Sequence, residues 1–369
     1  MKRLVLGGGG HAHVEVLRRF AALPPAGVEL VLVSPGAATA YSGMMPGVVA
    51  GFYARRDLMI DLALLASRCG ARFLRARIAS VDAAARSVAL DDGTRLAYDA
   101  LSLDVGSTPG TGGAQGVAAH ALRVKPIVSF LDAWDALLAR AERGGVRRLA
   151  LVGGGAAGIE ILLSMQHRLR ADAGADVPEC HLVTDAPELL PGHDARVRAI
   201  FDGVFAARGV RVHAAAPVVR VEPGRLLAAN GLALDADAIV WATGASPPAL
   251  AVSSGLALDA AGYVAIGETL QSSSHAEVFA AGDMASMVGH PRPRSGVYAV
   301  RQGPPLAANL RAFLAGRPLV RYVPQRRALA LITTGDRHAV ASRGKLTLQG
   351  RWVWRWKDWI DRRFVARYV

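Results

Sequence analysis

The chain of 369 residues has two cysteines, Cys69 and Cys180, far apart and in no pair motif. That scarcity excludes a disulfide framework, a zinc ribbon and a CxxC or CxxxxC redox pair, and it points to a reducing cytoplasm. Lysine is scarce too: Lys2, Lys125, Lys345 and Lys357 stand against 39 arginines. No run approaches the 18 or so apolar residues of a membrane-spanning helix. The amino terminus enters the strand Leu4-Val5-Leu6 within three residues, which leaves no room for a signal peptide. Acidic residues are outnumbered by basic ones, 30 to 43, yet the resulting charge of +13 is not spread evenly. From Arg321 to Val369 there are twelve basic and three acidic residues, so 49 residues carry +9. The rest is nearly neutral, which argues against a uniformly basic nucleic-acid binder. A hydrophobic content of 52% excludes a disordered chain.

What is present is a repeated strand, glycine turn, helix and strand. Lys2 to Gly7 is a short apolar strand, Gly8-Gly9-Gly10-His11-Ala12-His13 a turn, His13 to Ala22 a helix, and Val28 to Val33 an apolar strand, Glu29 aside, suited to a buried parallel sheet. The order recurs with Leu149 to Val152, the turn Gly153-Gly154-Gly155-Ala156-Ala157-Gly158, a helix from Ile159 to Arg170, and a strand from Cys180 to Thr184. The two units close on Asp99 to Ser107 and on Asp237 to Ala245. From first turn glycine to closing glycine they span 98 residues (Gly8 to Gly106) and 91 (Gly153 to Gly244). This is the repeat of a whole domain. After Gly316, hairpin segments are predicted at Ala328 to Thr333, Ala339 to Ser342 and Lys345 to Leu348. Val353, Trp356, Ile360 and Phe364 then follow at near-helical spacing.

A GxGxxG turn lets backbone N–H groups at a helix N-terminus approach a pyrophosphate. The second copy is regular: Gly153, Gly155, Gly158, then Glu160. The first reads as Gly8, Gly10 and His13, or alternatively as Gly7, Gly9 and Ala12. A histidine at the third position implies a wider helix-to-strand approach. Where an acidic residue is expected to hold a ribose, the first unit has Ser34. The second has Thr184 and then Asp185, which suits an unmodified ribose and so favours NADH over NADPH.

Two such turns, Ala242-Thr243-Gly244, and Thr269 followed by Val278-Phe279-Ala280-Ala281-Gly282-Asp283 resemble the two-dinucleotide flavoproteins, the pyridine nucleotide-disulfide oxidoreductase superfamily. Gly8 to Val14, Tyr41 to Gly47 and Tyr298 to Leu306 further resemble the NADH dehydrogenase-like flavoproteins, akin to type II NADH dehydrogenases, that are sometimes fused to selenide, water dikinase. The resemblance implies an α/β fold with two Rossmann-like domains of three-layer ββα type. It implies an FAD domain in two parts (1–120 and 249–318), an inserted NAD(P)H domain (121–248) and a C-terminal segment (319–369). FAD is expected on Gly8, Gly10, His13 and Ser34, with Ser42, Gly43 and Met44 near the flavin ring. Gly106, Gly282 and Asp283 are expected along the adenine-to-ribityl path, and Gln302 and Gly303 at the start of a helix aimed at the ring. NADH or NADPH is expected on Gly153, Gly155, Gly158, Asp185 and Gly244.

Ser42 to Met45 stand where disulfide reductases carry their cysteines, so hydride transfer to flavin and onward to an acceptor, most readily a quinone, is favoured over thiol chemistry. The alternatives are a soluble reductase with a protein or inorganic, selenium-linked acceptor, and a non-catalytic nucleotide-bound sensor. Glu160 reads as a positioning or proton-relay residue, or as favourable charge at a helix start. Lys125 reads as its partner, or as a solvated lysine. His11 and His13 lack an acidic or cysteine partner and are not read as a metal site. Trp352, Trp354, Trp356 and Trp359 among arginines have three readings: an anchor at a membrane surface, which would make the protein peripheral on the inner face, a segment packed on its own hairpins, or a partner surface.

Overall fold

The computed structural model describes residues 1–173 and 177–369. Two five-stranded parallel sheets organise the chain. The first has the order Val278–Ala280, Ala100–Leu103, Lys2–Gly7, Val28–Val33, Arg72–Leu74. The second has the order Leu122–Arg123, Ala238–Trp241, Arg148–Val152, Glu179–Val183, Arg211–His213. Beyond their charged first residues the central strands are apolar and buried, because helices cover them on one face and a three-stranded antiparallel meander flanks the other. The meanders are Ile78–Asp82, Ser87–Leu90, Arg95–Ala97 in the first unit and Val218–Glu222, Arg225–Ala228, Ala233–Asp235 in the second.

The edge strand Val278–Ala280 of the first sheet comes from beyond the second sheet, so the second unit interrupts the first. The chain crosses between the units twice, and the two crossings pair antiparallel, Thr108 opposite Ser246 and Pro109 opposite Ala245. Thr243 Oγ1 and Trp241 Nε1 both donate to the Gly110 carbonyl, and Gly110 N–H bonds Gly244 O, which ties the crossing to the closing strand of the second unit.

The helices start earlier than the apolar spacing suggests: His11–Ala22 in the first unit and Ala156–Ala173 in the second. Their first turns carry the glycine motif itself, where periodicity is silent. The C-terminal segment forms the predicted hairpins, Ala330–Thr333, Ala339–Arg343 and Leu346–Gly350, and then the helix Arg351–Val365. Val353, Asp361, Phe364, Val365 and Tyr368 are buried, whereas Trp352 and Trp359 are 54% and 55% exposed. Trp354 and Trp356 are half-buried against the hairpin. The segment therefore packs on its own chain along one face and offers the other, with Trp352, Arg355, Trp359 and Arg363 at helical spacing, to its surroundings.

Candidate dinucleotide and acceptor site

The two turns share the hydrogen bonds that frame them, although Gly10 N–H also donates to Asp104 O at 3.1 Å in the first. Gly8 N–H donates to Val33 O and Gly153 N–H to Val183 O, each at 2.8 Å, and Val14 and Ile159 N–H close onto Gly10 and Gly155. This equates Gly8 with Gly153, Gly10 with Gly155 and His13 with Gly158. It also equates Glu15 with Glu160, and Asp104 with Ala242. Both leading glycines have positive φ, +97° and +133°, and a Cβ on either would lie 2.4–2.5 Å from the carbonyl of Asp104 or Ala242, so only glycine fits.

The third position differs as the sequence suggests. A Cβ on Gly158 would meet Gly153 O at 2.1 Å, so this helix lies against its strand. In the first unit the His13 ring fills the gap, with Nδ1 2.7 Å from Gly8 O and Nε2 2.8 Å from Ser102 Oγ. Burial lowers the His13 pKa to about 4 although the Gly8 carbonyl acts the other way, so the ring is neutral. Nδ1 then donates to Gly8, and Ser102 donates to Nε2.

A larger difference was not foreseen. Asp104 Oδ2 accepts from the N–H groups of Ala12 (2.9 Å) and His13 (3.2 Å) at the start of helix His11–Ala22. Its carboxyl packs against Gly10 and Gly282, where a Cβ would lie within 2.2 and 2.4 Å. Asp104 is 2% exposed, and burial pushes it up to about 7 against the pull of the His13 and Ala12 N–H groups, with repulsion from Asp283 adding to the rise. Setting the two closing strings side by side, Asp104-Val105-Gly106 above Ala242-Thr243-Gly244, is the signal that shows it. In the second unit, among the described residues, no side chain accepts from the N–H groups of Ala157 or Gly158, and Gly155 and Gly244 face open space. These residues fit an anionic diphosphate. Gly106 is likewise open, and His11 Nε2 is buried without a partner in the first turn, a polar group of the kind a ligand satisfies.

Around the first turn, Ser34 is buried at the end of Val28–Val33, and its N–H bonds Leu74 O. Asp185 stands exposed after Glu179–Val183. Asp283 follows the strand Val278–Ala280 and pairs with Lys125 at 2.8 Å; Lys125 also donates to Ser107 Oγ. Of the two readings of Lys125, the pairing with Glu160 is not formed: Lys125 enters the second unit at the crossing, partly exposed, and there it meets the loop of Asp283. A second correction concerns Gln302 and Gly303. The helix starts at Gly296, so both lie inside it. Gln302 Oε1 accepts the Gly282 N–H at 2.7 Å, and Gly303 lets the helix pack on Glu15 and Ala12 of the first helix. The actual start, Ser295-Gly296, lies beside Ser42.

Ser42, Gly43 and Met44 form one 3₁₀ turn. The C-terminal helix reaches it: Lys357 Nζ donates to Gly43 O and to Asp361 Oδ2, both at 2.7 Å. Asp361 also accepts from Tyr41 Oη, and Asp358 from Tyr53 Oη. Glu160 Oε1 accepts the N–H of Thr333 on the first hairpin strand at 2.8 Å. Burial pushes Glu160 up to about 7, against the Lys357 charge and the Thr333 N–H. Burial works against the Lys357 ammonium, but Asp361 and Glu160 outweigh it and raise its pKa. Gly43, Phe52, Tyr53, Ser164, Trp354 and Lys357 border a small, partly open cleft, in which Ser164 Oγ has no partner. Asp361 and Lys357 were not singled out beforehand; their i, i+4 spacing on an amphipathic helix was the available sign.

Cys69 caps the helix Leu62–Arg68 and Cys180 lies in the strand Glu179–Val183; both are buried free thiols. Among the described residues no group of three metal-ligating side chains occurs, and no helix is long and apolar enough to cross a membrane.

Known proteins share this design. Type II NADH:quinone oxidoreductase of Staphylococcus epidermidis is 24% identical over 336 residues, 85% of this chain and 83% of that protein. Among solved structures, sulfide:quinone oxidoreductase of Aquifex aeolicus superposes with a TM-score of 0.85 at 19% identity, covering 100% of this chain and 91% of that one. NDH2 of Plasmodium falciparum, in complex with NADH, superposes with 0.81 at 14% identity, covering 100% and 98%. Residues 2–303 match the family model described as pyridine nucleotide-disulphide oxidoreductase, and with both turns and the interrupted first sheet in place the chain belongs to that family of oxidoreductases.

Proposed function

We propose that this protein is an FAD-dependent NAD(P)H dehydrogenase that passes two electrons to a quinone without a redox-active disulfide. The observation that carries the quinone reading is the arrival of the C-terminal helix at Gly43, with Lys357, Asp361 and Glu160 beside an aromatic-bordered pocket. Similarity to the type II NADH:quinone oxidoreductase supports it.

Residues 1–120 and 249–318 form the FAD domain, and residues 121–248 the NAD(P)H domain. FAD is held by Gly8, Gly10, His13, Ser34, Gly106, Gly282 and Asp283, with Ser42, Gly43 and Met44 at its ring. NAD(P)H is held by Gly153, Gly155, Gly158, Asp185 and Gly244. The bound flavin supplies the redox chemistry, accepting a hydride and returning two electrons. The chain supplies position and protons. Glu160, with a pKa near neutrality, is suited to hold a proton next to the acceptor pocket, and Lys357 holds positive charge there. The buried thiols of Cys69 and Cys180 take no part.

The outer face of helix Arg351–Val365, with Trp352 and Trp359 flanked by Arg355 and Arg363, lies on an anionic membrane surface, where a quinone dissolves. A second reading keeps the protein in solution with a protein or inorganic acceptor. It is favoured by Trp354 and Trp356, which pack on the hairpin and leave two tryptophans for lipid.

Anaerobic mixing tests the enzyme: NADH or NADPH bleaches the flavin band, and a short-chain quinone restores it. No bleaching by either nucleotide overturns the dehydrogenase reading. Bleaching without reoxidation by quinone overturns the acceptor alone.

A further inference from the structure

The two turns share a backbone, yet one holds a carboxylate that the other lacks. Asp104 stands where Ala242 stands, and its Oδ2 takes the second and third N–H groups of helix His11–Ala22. A dinucleotide's diphosphate approaches a helix at those groups. The packing leaves Asp104 no alternative place. Gly10 and Gly282 press on its carboxyl from two sides, and His13, whose N–H it accepts, is itself anchored between Gly8 O and Ser102.

Among the described residues no cation pairs with it. His13 and His11 are both held neutral, with pKa values near 4. Lys125, the one lysine near this turn, is bound to Asp283. Asp283 is itself a like charge facing Asp104, and Gln302 of the long helix brings only an amide to the Gly282 N–H. Glu15, further along the first helix, is occupied by Arg18, Arg19 and Tyr368.

A diphosphate and an ionised Asp104 would thus share one helix terminus with no counter-charge between them. Two like charges at such range repel strongly in a buried setting. Protonation of one removes the conflict, and the phosphates of a dinucleotide are much stronger acids than a carboxyl group. We propose that Asp104 is a positioning residue of the first turn that takes up a proton from solvent when FAD binds, so that retention of the flavin is proton-linked while binding of NAD(P)H at the second turn is not. This rests on the reading of the first unit as the FAD domain. The neutral carboxyl keeps its carbonyl oxygen as acceptor for one or both N–H groups. Its hydrogen donates towards the phosphate, turning a repulsion into a hydrogen bond.

Thermodynamic linkage fixes the sign. A group whose pKa rises on binding weakens the complex as pH climbs past its value in the free protein. The free Asp104 titrates near 7. The dissociation constant of FAD from the full-length apoprotein, read by flavin fluorescence from pH 5.5 to 9, is expected to be flat below about pH 6 and then to rise by up to about tenfold per pH unit above 7. Asp104→Asn, whose amide oxygen still accepts from Ala12 and His13, is expected to hold FAD with a constant flat within about twofold over the same range, as is NADH at the second turn of the wild-type protein. A flat wild-type profile, or the same slope in Asp104→Asn, overturns the proposal. Should the variant not fold, calorimetry of FAD binding to the wild-type chain in two buffers of different ionisation enthalpy decides. Uptake approaching one proton at pH 8 and none at pH 5.5 is expected, and no uptake at pH 8 overturns it. A wild-type chain that binds no FAD even at pH 5.5 overturns the cofactor reading itself, an outcome distinct from tight but pH-independent binding.

Discussion

The first and second turns are built on one plan and finished differently. In the second, Gly158 brings the helix against its strand, Ala242 leaves the helix terminus open, and Gly155 faces free space. In the first, His13 props the helix away through Gly8 and Ser102, and Asp104 closes the terminus from the neighbouring strand. The same contrast continues one turn along each helix. Glu15 and Glu160 occupy equivalent positions, and the C-terminal segment touches both, through Tyr368 and through Thr333 and Lys357. Burial disfavours the charge of both. Hydrogen bonds from Arg18 and Arg19 outweigh it at Glu15 and lower its pKa, whereas Glu160 lacks such a partner and is raised to about 7. A repeated fold therefore fixes backbone geometry, while single residues decide whether a site holds charge, a proton or a ligand.

The sharpest way to break this comparison is to make the second turn like the first. Ala242→Asp places a carboxylate at the open helix terminus and is expected to weaken NADH binding on the order of 100-fold at pH 8, and less at pH 6. Fluorescence titration with NADH checks this, and unchanged affinity would show that the carboxylate is compatible with a diphosphate. Next in size is the close approach at Gly158. Its replacement by alanine forces a Cβ onto Gly153 O and is expected to cost about 1–3 kcal/mol in a chemical denaturation midpoint. His13→Gly in the other unit does not relieve crowding but leaves Gly8 O and Ser102 Oγ unpaired, so it destabilises as well.

The paired glutamates test the comparison by sign. Glu15 has a lowered pKa, so its contribution is present above the unfolded-state value near 4.5 and is lost as pH falls through its folded value. Glu15→Gln is thus expected to lower stability at pH 8 by about 1 kcal/mol, the exposed ends of Arg18 and Arg19 keeping the figure small. Glu160 has a raised pKa, so the folded state holds an extra proton between about 4.5 and 7 and loses stability as pH rises through that window. Glu160→Gln is expected to raise the melting temperature at pH 8 and to leave it nearly unchanged at pH 4. Equal effects of the two substitutions at pH 8 would remove the contrast. The smallest effect concerns the two faces of the last helix. Replacing Trp352 and Trp359 by alanine is expected to reduce pelleting with anionic liposomes several-fold while changing stability by less than about 0.5 kcal/mol, whereas Trp354→Ala lowers stability.

Much of the architecture was legible beforehand because its signals are local. The strands read as apolar runs, Leu30 to Val33 and Leu149 to Val152, and the turns read as glycine where only glycine fits. The hairpins and the last helix followed from turn residues and spacing. The long helix starts at Gly296 rather than Gln302; the sign of that start is slight, since Ser295 stands before it with Tyr298 where a capping box needs Glu or Gln, and the helix has prolines at 304 and 305 in its interior. The partner of Lys125 was not legible: one lysine beside a proline has no pattern, and Asp283 lies 158 residues away.

By itself the sequence determined two repeated strand, glycine-turn and helix units and a charged tail with four tryptophans, while the insertion of one unit in the other was implied by the family resemblance. Strand pattern and turn chemistry act over a few residues and need no knowledge of the whole. Tertiary structure alone decided that Asp104 caps a helix 92 residues before it, and that Lys357 bonds a carbonyl 314 residues away at Gly43. It also decided that half of the tail's tryptophans face inward. Such partners meet because two sheets and a hairpin stack in one particular way, and the burial that follows sets whether a carboxyl near pH 7 is charged or neutral.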